Sequence, residues 1–301
     1  MKHRAPASLS ILAVIFGALI LGATTAALRE IDIGSTAAGF WRVALALPLL
    51  IAFAAFGANK KAQPMRLPNR QHWRFLIIAG ACFAGDLVFW HLSLVHTSLG
   101  NATFLATLSG LWVPLVSFLF LQQRLSRRFV MGLMGALAGS GILVSAHMGS
   151  GSWIGDLYGL LTGFFFTGYI LAIGYCRETL STTDTMLYSS ALCAAILLPI
   201  TVATNVIFGQ PIVPSSLSGW LSVFALAWFA HLAGQGLVAF GIGRLSTSLA
   251  AVILCLEGVG AMSVGAAFYA ESRTGWDLLA VVMIVCGIAL AQKDARNEAK
   301  L

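Results

Sequence analysis

Residues 247–270 read TSLAAVILCLEGVGAMSVGAAFYA, an apolar run with a single charge, Glu257, near its centre. A hydrocarbon layer about 30 Å thick needs roughly 20 residues of α-helix to cross it. The run is therefore long enough to span a membrane, and it carries a carboxyl where an ionised group costs about 2.5–3.5 kcal/mol on insertion scales. Nine comparable runs lie near 9–28, 35–57, 73–94, 98–121, 128–146, 156–176, 185–207, 218–242 and 274–292. Threaded in order, they sort the basic residues. With the N-terminus in the cytoplasm, 15 of the 18 Lys and Arg fall on that side, among them Lys60, Lys61, Arg127, Arg128 and Lys293. Only Arg29 and Arg273 fall opposite, and Arg42 is left within a span. Lys/Arg asymmetry over short loops sets membrane orientation. The expectation is an all-α membrane protein of ten transmembrane helices with both termini cytoplasmic.

Composition agrees. The chain is 58% hydrophobic and 10% charged, with a mean hydropathy of +0.88, far from the ~25% charge of soluble domains. The net charge of +7 is explained by topology, so no nucleic-acid partner is implied. Lys60–Arg74, with Pro64 and Pro68, reads as a cytoplasmic loop facing anionic lipid headgroups. Lys2 and Arg4 precede an apolar run longer than the 7–15 residues of a signal-peptide core, so the run is read as the first span. The five cysteines (Cys82, Cys176, Cys193, Cys255 and Cys286) and the six histidines are scattered. None has metal-ligand spacing, and no cofactor is indicated. The sequence lacks a GxxxxGK[ST] phosphate loop, which gives no support to ATP hydrolysis. Ala138-Gly139-Ser140-Gly141 offers a serine, but glycine-rich packing explains it better than an intramembrane enzyme does.

A shift of 148 residues superposes Ser98 on Ser246, Ala102 on Ala250, Leu108 on Leu256, Gly110 on Gly258, Val116 on Val264, Phe120 on Phe268 and Gly139 on Gly287. Five spans per half is an odd number, so the second half must enter the membrane upside down relative to the first. Inverted repeats of this kind put the substrate site near the midplane where the halves meet. The expected organisation is residues 1–147 as the first five-helix repeat, 148–155 as a linker on the outer face, 156–292 as the second repeat and 293–301 as a cytoplasmic tail.

Several stretches carry a family resemblance over almost the whole chain. Phe40-Trp41-Arg42 falls in the second span. Leu92–Ala102 looks like a short turn between the third and fourth. Gln123-Arg124-Leu125-Ser126 stands where Glu-Arg-Leu-Ser is usual. Ser246–Ala251, Leu256-Glu257-Gly258 and Glu271 match a pattern that normally reads Leu-Glu-Pro followed later by Glu. Together they resemble the ten-span, EamA-repeat group of the drug/metabolite transporter superfamily. The resemblance implies a secondary transporter in a bacterial-type inner (plasma) membrane, exporting a small metabolite, amino acid or drug-like compound by alternating access, with protons as a candidate coupling ion. The other class to be weighed is a channel or a non-transporting membrane sensor or scaffold. The sequence departs from the pattern at Gly110 and Gly258, where proline is usual, and at Gln123. The glycines are expected to act as flexible points in place of proline.

The candidate substrate-binding or coupling residues are Arg42, Asp86, Trp90, Ser109, His231, Gln235 and Glu257. Arg42 and Asp86, both expected about 10 Å below the outer surface at ~1.5 Å per residue, are read as an ion pair that also lines a vestibule. Glu257 has no predicted cation at its depth, and Ser109 is its repeat counterpart. Trp90 follows Asp86 by one helical turn. His231 and Gln235, four apart, share a helix face, while His91 points away from Asp86 and reads as interfacial. Gly135/Gly139 and Gly159/Gly163 permit close helix approach and say nothing of oligomeric state.

Overall fold

The computed structural model describes residues 7–57, 68–145, 152–269 and 274–298. Ten helices of membrane-spanning length and composition follow one another. Spans 1 to 5 are Ala7–Leu28, Ser35–Phe56, Arg70–His96, Gly100–Phe120 and Arg127–Ser145. Spans 6 to 10 are Trp153–Arg177, Thr182–Phe208, Leu217–Ile242, Thr247–Phe268 and Gly275–Lys293. Every end lies within three residues of the apolar run that announced it. Half of the expected linker at 148–155, the loop around Lys60 and Lys61, Glu271 and the last tail residues lie outside the described residues.

The span starts are set by side chains that take up otherwise unpaired helical amides. Ser98, Ser152, Ser181, Ser216 and Ser246 each accept from the amide three residues on. Asn69 and His72 form a reciprocal capping box at the head of span 3. A cap of this kind contributes about 1 kcal/mol. Ser98 and Ser246 are superposed by the 148-residue shift, so that identity records one cap used twice. Outside the bundle, Phe16, Phe118, Phe164 and Val206 are exposed, as lipid-facing side chains should be.

The pairing of spans displays the inverted repeat. Span 3 packs on span 6, and its counterpart, span 8, packs on span 1. Span 4 packs on span 6 as span 9 does on span 1. Spans 5 and 10 meet each other, as do spans 2 and 7. Each half therefore supplies the same surfaces, related by a pseudo-two-fold axis in the membrane plane.

The interface of spans 5 and 10 is built on glycine. A Cβ on Gly132 would run into the Gly287 carbonyl, and a Cβ on Gly287 into the Gly132 carbonyl; one on Gly139 would press, a little less closely, on the Ala280 carbonyl. These glycines pack helices within the bundle. Ser140, on the same helix, donates its hydroxyl to the Ala136 carbonyl at 3.0 Å.

Both spans of the next repeat-related pair break at the same place. Span 4 is helical over Leu99–Thr107, turns at Leu108 and resumes as Ser109–Phe120. Span 9 is helical over Thr247–Ile253, tightens to a 3-10 turn at Leu254–Leu256 and resumes at Glu257–Tyr269. The shift of 148 carries Leu108 onto Leu256 and Ser109 onto Glu257. Proline is absent from both breaks; Pro114 lies further along, inside the second helix of span 4. Gly110 is not the flexible point expected of it. A Cβ there would press on the Ala251 carbonyl at 3.3 Å and Cys255 Sγ at 3.4 Å, so it lets the two broken spans approach.

On the face opposite the termini, two connections are tied together. Asp32, outside the spans, accepts hydrogen bonds from the Ser215 amide (3.0 Å), the Ser215 hydroxyl (2.8 Å) and the Ser216 amide (2.9 Å). These donors, the Ser215 hydroxyl foremost, hold its carboxyl down to about 2, so it is charged at any physiological pH. The Gly34 amide donates to Pro211 O at 2.8 Å and Trp41 Nε1 to Ile212 O at 2.7 Å.

Overpacking a helix interface that closes backbone to backbone costs about 1–3 kcal/mol. Gly287→Val is expected to lower the melting temperature of detergent-purified protein and to reduce its monodisperse fraction on size exclusion. Gly275→Ala, where an added Cβ meets nothing within 4 Å, serves as the neutral control. Equal melting of the two variants would refute the close contact.

Candidate functional site

A cavity of about 130 Å³ lies where the broken spans meet. Spans 1, 2, 3, 4, 6, 8 and 9 all contribute to its wall. Leu21, Gly22 and Thr25 come from span 1, Arg42 from span 2, and Phe83, Asp86, Leu87 and Trp90 from span 3. Thr103, Ala106, Thr107 and Ser109 come from span 4, Thr162 and Phe166 from span 6, Gln235 from span 8, and Leu254, Glu257 and Ala261 from span 9. Thr25, Trp90 and Thr103 lie toward the face opposite the termini, whereas Gln235 and Leu254 are deepest. Beneath them Val14, Val238 and the continuous run Leu249–Cys255 are buried. The cavity thus rests on a packed apolar floor on the side of the termini.

Six of the seven residues singled out in the sequence line this cavity together: Arg42, Asp86, Trp90, Ser109, Gln235 and Glu257. Two carboxyls and one guanidinium share one small space, and the field of Arg42 reaches both Asp86 and Glu257. The expected ion pair between Arg42 and Asp86 is absent: among the described residues neither makes a hydrogen bond or close ion pair with the other. Arg42 instead holds its guanidinium carbon 5.7 Å from the centroid of the Phe83 ring, a cation–π distance. Its Nε is buried without a partner.

The expectation that Glu257 faces no cation also fails. Counting residues from a span end fixes the depth of a Cα, not the reach of a long side chain. Arg42 extends into the same cavity that Glu257 enters from span 9.

His231 lies outside the cavity lining. It is buried, with Nε2 2.8 Å from Ser190 Oγ on span 7 and its ring stacked on Phe83 at 5.3 Å. Leu226–Gln235 is wound as a π-helix, and Gln235 at its end faces the cavity while His231 faces span 7. His91 is buried rather than interfacial and donates from Nδ1 to the Leu87 carbonyl at 2.6 Å.

Sequence reasoning missed much of the neutral wall. Phe83, Phe166, Thr25, Thr103, Thr107 and Thr162 surround the charges with aromatic faces and hydroxyls. The threonines recur at 103 and 107, one helical turn apart, the one periodic signal available for them. Among the described residues, no group of three or more His, Cys, Asp and Glu could hold a metal ion.

Broken helices from two inverted five-helix repeats, meeting at a cavity that holds polar and charged side chains, define a multi-pass membrane transporter fold. Residues 8–145 and again 153–292 match the EamA-like transporter family, and the chain belongs to it. It is similar to the Pseudopaline exporter CntI of Pseudomonas aeruginosa, in strain UCBPP-PA14 and in strain PAO1. Identity to each is 25% over 225 residues, which cover 74% of this chain and 77% of the relative. A crystal structure at 19% sequence identity superposes with a TM-score of 0.79, covering 96% of this chain and 98% of its own. That likeness is one of fold.

Leaving a buried imidazole without its partner costs about 1–3 kcal/mol. Ser190→Ala is expected to lower the melting temperature by that margin while leaving binding in the cavity intact, since Ser190 faces span 7's neighbour and not the cavity. A ligand-binding loss in a well-folded Ser190→Ala protein would place His231 in the functional site after all.

Proposed function

We propose that this chain is a secondary transporter that exports a small polar or amphipathic solute by alternating access. The observation that carries this reading is the meeting of Arg42, Asp86 and Glu257 in one cavity at the paired helix breaks. Retaining three ionisable groups within hydrocarbon is costly, and a polar cargo is the compensation. The packed floor beneath Gln235 and Leu254 favours alternating access over an open channel. Export as the direction rests on the relatives that are named as exporters. Both termini are proposed to lie in the cytoplasm of a bacterial-type inner membrane, with the packed floor of the cavity on the cytoplasmic side. Asp86, Ser109, Trp90, Gln235, Arg42 and Glu257 are the proposed substrate-binding and coupling residues.

Orientation is read by cysteine labelling in intact cells with an impermeant maleimide. Ser218→Cys, exposed on the face opposite the termini, is expected to label, and Arg128→Cys, exposed on the termini face, to stay silent. The reverse pattern would invert the proposed topology.

Glu257 is proposed to carry a coupling proton. It sits at the start of the resumed helix of span 9, where alternating access would expose it first to one side and then to the other. Glu257→Gln keeps the shape and fixes the neutral form. The variant is expected to fold and to bind ligands found by thermal-shift screening of the purified wild-type protein, to retain downhill exchange in vesicles, and to lose pH-driven uphill transport. Uphill transport with an unchanged pH profile would make the carboxyl structural.

A further inference from the structure

Two donors on cavity-lining residues have no partner among the described residues. Arg42 Nε and Gln235 Nε2 are both buried and make no hydrogen bond, although Gln235, only 1% exposed, is among the most deeply buried polar residues of the chain. An unpaired buried donor costs about 1–3 kcal/mol, so two in one cavity call for an explanation.

One of them belongs to a side chain held over an aromatic ring. The Arg42 guanidinium lies over Phe83 at 5.7 Å, and Phe83 stacks on Tyr169 with ring centroids 4.7 Å apart. The Tyr169 hydroxyl donates to Met186 Sδ at 3.8 Å. Gln235 lines the same cavity as Arg42, and its Nε2 remains unused. Span 2 supplies one donor, span 8 the other, and span 3 the ring under the Arg42 guanidinium.

The acidic groups are contributed by other elements. Asp86 is one turn beyond Phe83 on span 3, and Glu257 enters from span 9. Neither hydrogen-bonds Arg42 or Gln235 among the described residues. The cavity lining therefore holds two unused donors alongside two carboxyls. A guanidinium and a carboxamide N–H in one small cavity suit the acceptors of a carboxylate or a comparable oxyanion.

We propose that Arg42 and Gln235 form an oxyanion subsite that receives a carboxylate-type group of the transported solute. The inference rests on the transport reading given above for the site's use, but its geometry is testable without a known cargo. A solute that satisfies these two donors leaves its own remaining donors to Asp86 and Glu257.

The test reads local charge preference at the subsite itself. In Gln235→Cys protein, purified in detergent and confirmed as monodisperse, alkylthiolation at position 235 is followed by peptide mass spectrometry. The two probes are an anionic reagent, 2-sulfonatoethyl methanethiosulfonate, and a cationic one, 2-(trimethylammonium)ethyl methanethiosulfonate, each normalised to its rate with a small free thiol. The anionic reagent is expected to be favoured on the order of tenfold, as one nearby guanidinium at low effective dielectric implies. Adding Arg42→Gln should reverse the preference, because Asp86 and Glu257 then dominate. A cationic preference in Gln235→Cys, or no labelling by either reagent, would overturn the subsite.

A second variant needs no reagent. Gln235→Glu places the protein's own carboxylate beside Arg42 and is expected to raise the melting temperature above that of Gln235→Leu, a gain abolished by Arg42→Gln. If Gln235→Glu melts no higher than Gln235→Leu, the two positions do not share a subsite. Transport assays are separate from both readouts. Anionic preference without transport would leave the subsite standing and sink the transporter reading, and transport with cationic preference would do the opposite.

Discussion

Hydrocarbon offers no hydrogen bonds, so a helix that crosses it can be interrupted only where protein or an internal cavity takes up the freed backbone groups. This constraint decides where the site lies. Spans 4 and 9 break at Leu108 and at Leu254–Leu256, and both breaks are enclosed by the other half of the bundle. Gly110 lets one broken span sit against the other, and Ser109 and Glu257 begin the resumed helices at the cavity wall. The same two interruptions that would be intolerable toward lipid become the place where polar chemistry is concentrated.

The remaining architecture keeps those breaks together. Spans 5 and 10 close on one another through reciprocal glycine–carbonyl contacts. Asp32 and Trp41 tie the first connection to the segment around Ser215 on the face opposite the termini. Spans 3 and 6 on one side and spans 8 and 1 on the other form equivalent packed pairs. The cavity runs between these pairs, so its walls belong to different parts of the repeat while its charges converge from spans 2, 3 and 9.

Much of this was legible in the sequence because membrane physics leaves few choices. Twenty apolar residues specify a span, and the odd number of spans per half specifies inversion. Arg42, Asp86 and Glu257 stood out because charge in hydrocarbon is rare. Their mutual arrangement was not legible: the expected Arg42–Asp86 pair is replaced by a guanidinium over Phe83, since depth along a helix does not determine azimuth or side-chain reach. His231 was grouped with Gln235 by spacing, but the local π-helix and the neighbouring Ser190 turn it to span 7. The threonines and phenylalanines of the wall carry no charge, and in a chain this apolar they look like ordinary packing.

Inversion also has an electrical consequence. Each helix carries a dipole equivalent to about half a charge at either end, and every span of the first repeat has a counterpart running the opposite way. The backbone contributions of the two halves oppose one another along the membrane normal, so a transmembrane voltage finds little net backbone dipole to act on. What remains for it to act on is ionic charge that changes position, at about 2.3 kcal/mol per elementary charge per 100 mV. Current measured across a membrane containing this protein would therefore report the charge of what crosses, plus any displacement of Arg42, Asp86 and Glu257, with little background from the scaffold that carries them.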